Sequence, residues 1–171
     1  MGPLELVGDR WAIGDPDRKE GSCRVFTADG MEHHKLAASE PLAVVPWPRF
    51  VDGPRVKATA RAWSATRAAG ILIDTFADRR TIAGPRACSV HVYLRHPYED
   101  VLVNCTHHKR RYLFRHISLL DALLKKTTEA KAAHRLGDPE WLGEAVTRVA
   151  ALRSWLRPDR SVGEVIADLG T

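Results

Sequence analysis

Residues 101–116 read VLVNCTHHKRRYLFRH: an apolar run, then three histidines and four cations, with no acid between Val101 and Leu120. Two chemistries suit such a stretch. A metal site would draw on Cys105, His107 and His108, with His33, His34, His91 or His96 as further donors. Adjacent histidines on a strand face opposite ways, and on a helix they stand about 100° apart, so an HH pair rarely gives two ligands to one ion. The chain has neither HExxH nor a CxxC with a matching HxxxH, and no metal or other cofactor is expected. Anion binding fits the residue types better. Lys109, Arg110, Arg111 and Arg115 would converge on a phosphate or carboxylate through charge-assisted hydrogen bonds. If a helix starts near His107, its free backbone N–H groups join them. If the helix starts at Ser118, HHKRR is a solvated turn or extended edge. Both starts remain open in the sequence.

Further cations lie on residues 55–62, RVKATARA, where Arg55, Lys57, Thr59 and Arg61 alternate with small apolar residues. Alanine favours a helix, but a period of two places these residues on a strand with one cationic face. Tyr93, Trp63, Tyr98 and Tyr112 are the aromatics that could interleave with that charge as an RNA platform, though no RNP-like motif is present. For catalysis there is no GxSxG, P-loop or Rossmann fingerprint. Asp74 and Asp78 sit near the end of the expected strand ILIDTF (71–76), not as a paired acid and base.

The elements that hold these residues divide the charge unevenly. Residues 1–52 carry 6 bases and 9 acids, residues 53–120 carry 12 and 4, and residues 121–171 carry 8 and 8, so the +5 net charge arises in the middle third. Such asymmetry fits either a surface that meets an anionic partner or a set of solvated outward faces on a small protein. No apolar run approaches the ~18–20 residues of a membrane span, and the N-terminus lacks a basic, then apolar, leader. Three widely spaced cysteines predict no disulfide framework, with Cys88 and Cys105 packed as small hydrophobes. The expectation is a soluble cytoplasmic protein without membrane insertion.

Short strands are expected first: 4–13 broken at Gly8, the pair 23–27 and 31–37 around Ala28-Asp29-Gly30, LAVV (42–45), 55–62, and the hairpin 88–95 with 101–106. Pro46 and Pro48 exclude a helix at Trp47 and suit an edge strand. Leu113, Ile117, Leu120 and Leu124 then form a helical stripe expected to end near Gly137. Asp138-Pro139-Glu140 opens a second helix, with Leu142, Ala145, Val146, Val149, Leu152 and Leu156 inward, stopped at Arg157-Pro158. Ser161 and Glu164 box a last helix that ends in glycine.

Asp29-Gly30 between two strands, followed by Val45-Pro46-Trp47, resembles the bacterial pleckstrin-homology-like (PH-like) pattern, outlined over residues 4–126. The resemblance implies an antiparallel β-barrel or sandwich of about seven short strands, a Trp packed at a barrel corner, and a closing helix: an α+β fold. Residues 1–126 would be that domain and 127–171 a helical extension packed on it. It further implies a non-catalytic binding or interaction module, so an enzyme is the less expected class. The expected contact residues are Lys109, Arg110, Arg111 and Arg115, then Arg55, Lys57 and Arg61. A protein partner or homo-oligomer, with the Trp141–Trp155 helix as a docking face, stands beside nucleic acid or another polyanion as the partner.

Overall fold

The computed structural model describes residues 2–14, 22–35, 40–58, 60–61, 87–106, 112–152 and 158–170. The first sheet is a meander built from local hairpins. Strands β1 (Leu4–Val7) and β2 (Arg10–Ile13) flank a two-residue turn in which Gly8 takes φ +62°, a conformation that favours glycine. Strands β3 (Ser22–Phe26) and β4 (Gly30–Lys35) close around the Ala28-Asp29 turn, where the Thr27 N–H donates to the Gly30 carbonyl at 2.9 Å. Strand β5 (Ala43–Pro46) completes the order β1-β2-β3-β4-β5, all antiparallel, and as an edge strand it tolerates its proline.

The prolines around Trp47 do not exclude every helix. Trp47–Arg49 forms one 3-10 turn, short enough that Pro48 lies in its opening positions and displaces no ladder bond. That turn carries the chain from the first sheet to the second. Trp47 is buried there, with Phe26 and Phe50 ring centroids at 6.0 and 5.2 Å, and its indole N–H donates to the Thr27 carbonyl at 2.9 Å.

The second sheet orders β6 (Arg55–Ala58), β8 (Ala87–Leu94) and β9 (Glu99–Thr106) as β6-β8-β9, antiparallel throughout. A two-stranded parallel pair joins β7 (Ala60–Arg61) to β10 (Tyr112–Leu113). These ten strands exceed the seven expected, and among the described residues they form no closed barrel. The sheets meet by packing and by the Ser22 hydroxyl donating to the Asn104 carbonyl, while Phe50, in the connection between them, bridges to Leu94 of β8. The expected strand at 71–76 lies outside the described residues.

Three helices follow, α1 (Phe114–Glu129), α2 (Pro139–Ala151) and α3 (Pro158–Leu169). Helix α1 starts at neither His107 nor Ser118. The β10 pairing keeps the chain extended through Leu113, which is therefore 44% exposed and no part of the helical stripe. Ile117, Leu120 and Leu124 are buried as expected, joined by Leu119 and Leu123. The helix ends at Glu129, before Gly137, because Lys131 turns to φ +59° and a 3-10 segment, Ala133–Gly137, follows. Asp138 caps α2 as its sequence requires, its Oδ1 accepting from the N–H groups of Glu140 and Trp141 at 3.1 Å each. Trp141 is buried, so it offers no exposed docking face, and Trp155 lies outside the described residues. Helix α3 begins at Pro158, three residues ahead of Ser161, and ends before Gly170 at φ +72°.

One continuous apolar core runs from Leu4 and Ile13 through Cys88 and Val90 to Leu142 and Ile166, so both sides of residue 126 share it, and α1 crosses that position unbroken. Cys23, Cys88 and Cys105 are buried and form no disulfide, and burial pushes the Cys105 thiol up to about 12, which makes it a packing group rather than a nucleophile.

Lys125 of α1 meets Asp159 in the first turn of α3 at 2.6 Å, and this hydrogen bond holds the Asp159 carboxyl below the ordinary carboxylate range. A lowered carboxyl contributes stability above its unfolded pKa and loses it as pH falls through the folded value. Urea midpoints for wild type and Asp159→Asn are expected to differ at about pH 5 and to converge near pH 2.5. A constant gap would show that the pair adds nothing through its charge.

Candidate anion-binding surface

The second sheet has two unlike faces. Its apolar side is built from Val56, Cys88, Val90, Val92, Leu94 and Cys105, all buried in the core. On the other side register places Arg55 opposite His91 and His91 opposite Leu102, Lys57 opposite Ser89 and Ser89 opposite Asn104, and Tyr93 opposite Asp100. The strict alternation of a strand makes this a polar face.

Helix α1 leans on the outer strand of that sheet. Asp121 accepts from the Val56 N–H at 3.0 Å and from the Arg55 guanidinium at 3.2 Å. The Val56 N–H points away from β8, and Asp121 satisfies it, closing an edge that would otherwise be open to another strand. Burial raises the Asp121 carboxyl above its ordinary range, opposed by the Val56 hydrogen bond and by the charge of Arg55. Between helix and sheet lies a cleft of about 400 Å³, lined by Arg55, Lys57, His91, Tyr93, Ser118 and Asp121. His91 contacts the Asp100 carboxylate through Nε2, and its ring lies 4.5 Å from that of Tyr93.

The sequence-derived cations take different positions. Arg55 and Lys57 line the cleft. Arg61 pairs through its backbone with Leu113, beside the Ala60–Tyr112 pair. Lys109, Arg110 and Arg111 lie outside the described residues; Tyr112, next in the chain, pairs with Ala60. Arg115 is turned elsewhere: its Nη2 donates to the Ala150 carbonyl at 3.0 Å and to that of Leu152, closing the C-terminal end of α2. It therefore supports the helices rather than the anion surface.

Of the residues weighed for a metal, His34 binds Glu32 at 2.7 Å and His91 binds Asp100, while His107 and His108 lie outside the described residues. Among the described residues no three His, Cys, Asp or Glu side chains group as a metal would require. Sequence reasoning passed over Asp121, Ser118 and His91 as parts of this cleft. The period-two polar positions Ser89, His91 and Tyr93 signal the face, but nothing local signals the contact from Asp121 to a strand 65 residues away.

Two replacements separate the roles of Asp121. Asp121→Asn keeps an acceptor for the Val56 N–H and releases Arg55 from its counter-charge. It is expected to leave stability near wild type and to tighten polyanion binding roughly threefold at low salt. Asp121→Leu strands a buried donor and is expected to cost about 1–3 kcal/mol in urea denaturation. Equal stability of the two variants would contradict the edge-closing role.

Compared with known protein families, with curated proteins and with solved structures, the chain matches none.

Proposed function

We propose that this chain is a non-catalytic binding module of PH-like outline that takes a phosphate-bearing polyanion on its basic central surface. The observation that carries the reading is the β7–β10 pair. It sets Ala60 and Arg61, which follow the strand of Arg55 and Lys57 in the chain, beside Tyr112 and Leu113, the residues that follow Lys109-Arg110-Arg111. On this reading two cationic segments some fifty residues apart in the chain make one surface, in the third of the sequence that holds all the excess charge. The role of these side chains is electrostatic, through hydrogen bonds to phosphate oxygens. The PH-like outline is supported by the hairpin at Asp29-Gly30, the buried Trp47 and the helix α1 lying across the second sheet. Among the described residues no helix is long and apolar enough to cross a membrane.

Nucleic acid is the phosphate polymer to test first. In fluorescence anisotropy a labelled duplex and a labelled single strand are expected to bind at about 50 mM salt. Affinity should fall at least tenfold by about 200 mM as condensed counterions cease to be released. Competition by heparin would extend the ligand class to other polyanions. No binding of either strand form at the lower salt would sink the reading.

A further inference from the structure

At the other end of the β8–β9 hairpin the chemistry reverses. A hollow of about 550 Å³ is lined by Val51, Asp52, Tyr93, Tyr98, Glu99 and Asp100, with Leu94 at its base. Tyr98 is 80% exposed, Tyr93 41% and Val51 48%, so two rings and an aliphatic side chain face outward together. The rings are braced by histidines, Tyr93 by His91 at 4.5 Å between centroids and Tyr98 by His96 at 6.0 Å. Among the described residues no Lys or Arg lines the hollow.

The carboxylates are concentrated against the trend of the sequence. Residues 53–120 hold 12 bases and 4 acids, and two of those four, Glu99 and Asp100, stand here beside Asp52. Glu99 is held at the rim by Arg49 at 3.4 Å, and Asp100 by His91. Asp52 has no ion-pair partner among the described residues. Aromatic faces with carboxylates at their edge attract a guanidinium or ammonium group, the rings through their quadrupole and the acids through charge. Leu102, 45% exposed and one cross-strand pair along from Asp100, extends the patch with an apolar flank.

From this complementarity we propose that the hollow is a docking site for a basic segment of a partner protein, an arginine or lysine side chain seated between Tyr93 and Tyr98 with an apolar neighbour against Val51 and Leu102. The site is distinct from the anion surface, which it adjoins across Tyr93 and the His91–Asp100 contact. Its partner carries the opposite charge from the polyanion, so one face of the sheet presents a cationic end and an anionic end.

The test uses the full chain and a fluorescein-labelled peptide of alternating arginine and alanine, with a glutamate–alanine peptide as the control. The arginine peptide is expected to bind and the glutamate peptide not. Tyr98→Ala and Asp52→Asn together should weaken binding about tenfold or more. The melting temperature should hold, because both side chains lie at the surface. Lys109/Arg110/Arg111→Ala should bind the peptide at least as well as wild type. The proposal is overturned by absence of binding, by equal binding of the two peptides, or by an unchanged affinity in the Tyr98/Asp52 variant.

Discussion

Alanine at Lys109, Arg110 and Arg111 together is expected to lower polyanion affinity roughly 100-fold at about 100 mM salt, and to flatten the salt dependence by about three phosphate contacts. Each cation that meets a phosphate releases a counterion, so the slope of affinity against salt counts contacts directly. Loss of affinity with an unchanged slope would mean that the triple variant perturbs the fold instead. A smaller, parallel effect is expected from Arg55, Lys57 and Arg61 replaced as a set. Arg55 contributes least, because Asp121 already neutralises part of its charge at 3.2 Å. Arg115→Met should leave the salt slope unaltered, since that guanidinium serves the end of α2.

The second large effect belongs to the fold. Gly137 ends the 3-10 segment that packs against the β3–β4 turn, and a Cβ there would lie 2.0 Å from the Thr27 carbonyl carbon and 2.1 Å from the Ala28 nitrogen. Both are backbone atoms of a turn fixed by the Thr27–Gly30 hydrogen bond and by the Trp47 indole on the Thr27 carbonyl. No side-chain rotation relieves such a contact, so either the helical layer lifts or the hairpin moves. Gly137→Ala is expected to cost about 3 kcal/mol or more, a fall of roughly 10 °C in melting temperature. Little change would show that this helix–hairpin contact is not close-packed in solution.

How much of this was legible follows from how local each signal is. The Asp29-Gly30 hairpin, the hairpin around residues 95–98 and the Asp138-Pro139-Glu140 cap are written in neighbouring residues, and each stands where the pattern places it. The start of α1 is set by a partner strand 52 residues away, Ala60 against Tyr112, so neither of the starts the sequence offers, near His107 or at Ser118, reveals it. Leu113 fits the helical spacing but belongs to β10. The same non-local pairing sets Ala60 and Arg61 beside Tyr112 and Leu113, which no local pattern announces. Arg115 shows the converse: its charge reads as ligand-binding, while its contacts are the carbonyls of a helix end. The closed barrel implied by the family resemblance is not formed among the described residues, where the five-stranded and three-stranded sheets share no ladder.

The central claim is that segments 55–61 and 107–113 form one ligand surface. Backbone amide shifts of the ¹⁵N-labelled chain, titrated with a short single-stranded DNA, test it most directly. The account predicts that both segments shift together, with His91 and Ser118 of the cleft following and the outer strands of the first sheet unmoved. Shifts confined to 107–111, with 55–61 silent at saturation, would contradict it.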